Sequence, residues 1–138
     1  MEGIYMVEKK WSIHFIRLAA IFGLIGAVIG SDMSGSGNYA LRPVHAHILV
    51  VGWLSLAVWA LFYRTFTVKS KKLVHLHGWT AVLGTIGLTV GMLFYNVNPF
   101  NFNETFTMIF FIVGGSILLI SYVIFIWITF TLKAVEDK

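Results

Sequence analysis

The apolar positions of this chain fall into four long blocks separated by short polar stretches. The blocks run from about Ile13 to Gly30, Val44 to Tyr63, Leu73 to Tyr95 and Phe106 to Leu132. Val44 to Tyr63 spans 20 residues, enough for a helix to cross the roughly 30 Å hydrocarbon layer of a bilayer. Pro43 stands just before it, where a helix does not need the missing N–H. The pattern predicts an all-α fold, a bundle of four transmembrane helices forming a single membrane domain over residues 1–138. Ser31 to Asn38 reads as a plain loop, Arg64 to Lys72 as a basic turn, and Asn96 to Glu104 as an Asn-rich connection carrying Pro99.

Composition agrees with this reading. The chain is 58% hydrophobic and 12% charged, roughly half the charged fraction of a soluble domain. Its net charge of +4 sits in short connections and tails, so it speaks to topology and gives no reason to expect nucleic acid as a partner. Lys9, Lys10 and Arg17 mark the start, Arg64, Lys69, Lys71 and Lys72 the second connection, and Lys133 and Lys138 the tail. The first connection has only Arg42 and the third has no Lys or Arg. The positive-inside rule therefore expects both termini and the second connection in the cytoplasm, in a multi-pass protein of the cell membrane. The first block has a basic start but no A-x-A site after it, and reads as a retained helix rather than a cleaved signal. There is no cysteine, which removes thiolate ligands and disulfides. Any metal or haem must be held by His, Met, Tyr, carboxylate or backbone.

Helix periodicity separates the faces. Ala19, Gly23, Gly26, Ala27 and Gly30 cluster on the first helix, a small-residue face that lets backbones approach closely in lipid. The fourth helix, with Gly114, Gly115 and Ser116, reads as packing. His45 and His47 are two positions apart, about 200° on a helix, so they point to opposite faces. His45 shares its face with Leu49, Gly52, Leu56, Trp59 and Tyr63 and is expected inward, with Gly52 leaving room for a flat ligand. His47 shares a lipid-like face with Val50, Val51, Leu54, Val58 and Leu61. By the same test His77, beside Thr80, Gly84, Gly87 and Gly91, points inward, and His75, beside Trp79, Val82, Ile86, Val90 and Leu93, points to lipid. Antiparallel helices put His45 and His77 near opposite membrane faces, roughly 25–30 Å apart in depth. His14 and His75 read as hydrated residues of the headgroup boundary. For His47 and His77 an interfacial and a functional role both fit the pattern, whereas histidine at the depth of His45 points to function. Asp32 and Glu104 lie in the outer connections, so no buried carboxylate is expected, and no nucleophile motif or phosphate loop is present. The sequence offers no catalytic constellation.

The run Arg42-Pro43-Val44-His45 followed by an apolar helix resembles the second helix of the catalytic subunit of haem–copper oxidases, closest to the nitric oxide reductase and high-affinity oxidase branch. The likeness extends loosely over all four helices, like an N-terminal fragment of that subunit. It implies that His45 is an axial ligand of haem b. The family's second low-spin ligand and its copper-binding histidines have no counterpart here, and His47 stands where the family commonly has Asn. An oxygen-reducing enzyme is therefore not expected. The resemblance implies instead a small membrane haem b protein for electron transfer or for haem or gas handling linked to respiration. His45 would hold the iron, Arg42 would meet a propionate, and Gly52, His47 and His77 complete the candidate residues. A homo-oligomer would bring two His45 side chains together through an isologous contact, with respiratory-chain proteins or quinol as further partners. The alternative is a copper- or zinc-binding assembly subunit using His45 and His47 without haem.

Overall fold

The computed structural model describes residues 2–132, with side chains from Met6 onward. Four helices are long and apolar enough to cross a membrane, and the protein is an all-α, four-helix membrane bundle. We number them α1 (Glu2–Ser36), α2 (Arg42–Thr65), α3 (Lys71–Asn96) and α4 (Glu104–Phe130). The tail residues Lys133 and Lys138, counted in the charge asymmetry, lie outside the described residues.

Helix ends are set by local chemistry rather than by where the apolar blocks stop. The stretch from Ser31 to Ser36, expected as loop, continues α1. Nothing in it forbids helix, and Met33 is buried there. The helix stops at Gly37, which adopts φ +68 and donates its N–H to the Met33 carbonyl at 3.1 Å, a left-handed stop that glycine takes at little cost. Ser70 caps α3 by accepting from the Leu73 N–H. Asn103 caps α4 by accepting from the Thr105 and Phe106 N–H groups, satisfying donors that a helix start leaves free.

The helices form two antiparallel pairs. α3 and α4 meet backbone to backbone: a Cβ on Gly114 would lie 2.2 Å from the Gly87 carbonyl carbon, and one on Gly84 would lie 2.4 Å from the Leu118 nitrogen. α1 and α2 meet through side chains that fill the hollows left by glycines of α1. Leu49 lies over Gly26, and Trp53 over Gly23. α2 bridges to α4 through Ser55, whose hydroxyl donates to the Val50 carbonyl at 2.9 Å and accepts from the Tyr122 hydroxyl at 2.7 Å.

Within α2, Ile48–Ser55 is wound as π-helix. Such i→i+5 winding is rare and turns the residues away from the α-helical wheel. This corrects the expected lipid-facing position of Val51, which is buried at 8% exposure. The core concentrates at the end of the bundle that carries the Arg64–Lys72 turn, hereafter the basic end. There Phe15, Trp59, Tyr63 and Val74 are buried. Glu8 joins them at 1% exposure, with its carboxylate accepting from the Val68 N–H. This buried carboxylate runs against the expectation from sequence. No pattern in Val7-Glu8-Lys9-Lys10 separates the acid from its exposed basic neighbours, and only the fold of the second connection over it does so.

Candidate functional site

His45 enters the structure in the first turn of α2. Leu41 precedes the helix, Pro43 fits its opening positions, and the His45 N–H already donates to the Leu41 carbonyl at 2.8 Å. The ring is half-buried and crosses to α1, where Nδ1 meets the Gly26 carbonyl at 2.9 Å. A carbonyl only accepts, so Nδ1 carries a proton, which leaves Nε2 as the nitrogen that can bind a metal. Nε2 makes no hydrogen bond among the described residues. Gly30 gives the ring its place, since a Cβ there would stand 2.8 Å from Cε1 and 3.5 Å from Nε2. A histidine whose Nδ1–H is tied to a backbone carbonyl and whose Nε2 is free has the outer-shell arrangement of metal-ligating imidazoles.

Gly52 does not leave room for a flat ligand. The Phe22 ring occupies that space, and a Cβ on Gly52 would lie 2.5 Å from it. The reason is the same small-residue economy: a glycine opposite a large aromatic side chain is filled by it within the chain. Space remains outside the pair, in a groove of about 440 Å³ lined by Ala20, Gly23, Ala27, Leu49 and Trp53. Leu49 lies one turn along α2 from His45, so the groove leads toward His45. Arg42, exposed at the same end, has its guanidinium carbon 4.7 Å from the centre of the Tyr39 ring.

His47 is turned away from His45. Its Nδ1 donates to the Pro43 carbonyl of its own helix at 2.8 Å, and the two imidazoles are held by different partners on different sides. Among the described residues no group of three His, Asp or Glu side chains converges to hold a metal ion.

His77 is fully buried, inward as its periodicity predicts. The Tyr63 hydroxyl lies 2.8 Å from its Nδ1. Trp59 stands edge-on at 4.8 Å between ring centres, Phe125 stacks at 5.4 Å, and Phe15 closes the box at 5.9 Å. Its Nε2 is buried and has no hydrogen-bond partner among the described residues. Tyr63 lies 18 positions after His45 on α2, roughly 25 Å along the helix, so the two histidines belong to separate ends of the bundle. The outer pair is simpler. His75 Nδ1 accepts from the Trp11 indole N–H at 3.1 Å, and His14 Nδ1 donates to the Lys10 carbonyl at 2.6 Å, both rings being exposed.

No protein family, curated protein or solved structure matches this chain. What the site can do rests on its own chemistry. His45 supplies one imidazole whose Nδ1–H is held by the Gly26 carbonyl, at the end of the bundle that also carries exposed Arg42 and one helical turn from Leu49 of the apolar groove. That donor set fits one axial position of a haem iron; a slot for the whole macrocycle is not found between α1 and α2, where side chains fill the hollows.

Proposed function

We propose that this protein binds haem b at the end of the bundle opposite the basic turn, with His45 as axial ligand and a second copy of the chain covering the other face. The observation that carries the reading is the His45 ring itself, with Nδ1–H committed to the Gly26 carbonyl and Nε2 uncommitted. The R-P-x-H resemblance adds to it. Haem, when bound, supplies one-electron redox chemistry at its iron, with the potential set by axial ligand and surroundings. His45 would hold the iron through Nε2. Gly26 would orient the ring and raise its basicity through the hydrogen bond. Arg42 would meet a propionate, because guanidinium and carboxylate pair well. An isologous contact between two chains along the Gly23 and Ala27 groove would present two His45 rings to one iron, a coordination suited to electron transfer. Copper or zinc shared by His45 and His47 is the weaker reading, because the two rings are held apart.

The test is a visible spectrum of the purified protein and of its five His→Ala variants, with mass in detergent from light scattering. We expect a Soret band lost in His45→Ala alone, and a six-coordinate spectrum confined to an oligomer. Full haem occupancy in His45→Ala would falsify the assignment. A monodisperse monomer with a bis-histidine spectrum would remove the second copy from it. The orientation follows the charge asymmetry: reporters active only outside the cytoplasm, fused after Lys138, should stay silent, and activity there would invert the placement of His45.

A further inference from the structure

A second groove lies at the basic end, also between α1 and α2 but on residues that the haem reading does not use. It encloses about 370 Å³. Its rim carries Lys9 from α1 and Arg64 from α2, and among the described residues no acidic side chain lines it. Glu8, next to Lys9 in sequence, is turned into the core with its carboxylate on the Val68 N–H, so it does not pair with the two cations. Below the rim the walls are Ile13, Ile16 and Leu61, exposed at 37%, 45% and 63% on a surface that faces lipid in a membrane. The floor is fixed by a bond between the helices: the Ser12 hydroxyl donates to the Ala60 carbonyl at 2.8 Å and is buried.

We infer that this groove binds an anionic phospholipid, its phosphate between Lys9 and Arg64 and one acyl chain along Ile13, Ile16 and Leu61. Arg64 offers a planar fork of N–H donors that suits phosphate oxygens, and Lys9 adds a second charge from the facing helix. The hydroxyl of Ser12 is already committed, so recognition rests on the two cations. A soluble phosphate would use the rim and leave the apolar walls idle, which is why the lipid is the occupant that fits both halves of the groove. The groove on the other flank of α1, lined by Lys10, His14, His75, Trp11 and Trp79, has one ammonium and two aromatic walls, and is not matched in the same way. The inference stands independently of haem.

Native mass spectrometry of the intact protein in mild detergent tests it, with phosphatidylglycerol and phosphatidylcholine of matched chains added in equal amounts. One retained phosphatidylglycerol is expected, preferred over phosphatidylcholine on the order of tenfold. The double variant Lys9→Gln/Arg64→Gln should bring that preference to near parity. Lys71→Gln/Lys72→Gln removes the same charge from the neighbouring turn and should leave most of it. Equal losses in the two double variants would mean diffuse surface charge and overturn the site, as would the absence of any preference in the unmodified protein. Displacement of the lipid by millimolar inorganic phosphate would assign the rim to a soluble anion instead.

Discussion

The glycine-lined faces of α1 and α3 look alike in sequence and are used in opposite ways. On α3, Gly84 and Gly87 are consumed by the backbone of α4, with Gly114 and Leu118 in direct contact. On α1, Gly23, Gly26 and Gly30 receive side chains of α2: Trp53, Leu49 and the His45 imidazole. Backbone against backbone leaves nothing that can move or exchange a partner. Side chains in glycine hollows keep rotamers, polar atoms and edges that open to the outside. The difference teaches that a small-residue stripe marks close approach, and that only a stripe met by side chains leaves polar atoms such as the His45 imidazole at the contact.

The comparison can be broken at its rigid side first. Gly114→Leu places a side chain where the Gly87 backbone already stands, with no flexible atom to give way. We expect it to separate α3 from α4 at a cost of about 3 kcal/mol or more, measured as loss of helicity in denaturing detergent titrations. Unchanged stability would show that the α3–α4 contact is looser than described.

Next in size comes the sealed histidine. His77 and Tyr63 are both buried, and Tyr63→Phe removes the hydroxyl that meets Nδ1. Leaving that nitrogen unpartnered should cost about 1–3 kcal/mol, with haem content per folded protein unchanged. A loss of haem in this variant would make His77 part of the cofactor site and merge the two ends that the structure keeps apart.

The smallest effect on stability, and the sharpest contrast, is expected at Gly30. A methyl group there meets the edge of the His45 ring, which can swing aside, so the fold should lose no more than about 1 kcal/mol. Haem affinity should nevertheless fall by about 10–100-fold, because the ring's orientation is lost. A Soret titration against unfolding data decides it. Equal loss of stability and of haem would reduce Gly30 to packing.

The sequence determined the four helices, their antiparallel order and the bounds of the last three to within a few residues, because bilayer thickness translates directly into apolar run length. α1 runs past its expected Ile13–Gly30 block at both ends, from Glu2 to Ser36, because polar residues outside the bilayer can continue a helix that no breaker stops. The sequence also separated inward His77 from outward His75, because a 3.6-residue period is legible without tertiary information. His45 and His47 are both half-buried and differ in the carbonyl each ring meets. Tertiary structure alone decided which neighbour each glycine would receive. Gly52 was legible as a hollow, but that Phe22 fills it depends on the register of α1 against α2, which no single-helix pattern contains. The same holds for the π-wound segment that turned Val51 inward, for Glu8 under the second connection, and for the Gly26 carbonyl that meets the His45 Nδ1–H. The glycine partners, Glu8 and the Gly26 carbonyl involve residues distant in the chain, whose distance and direction only packing sets, and the π winding is a local departure from the 3.6-residue period on which the wheel rests.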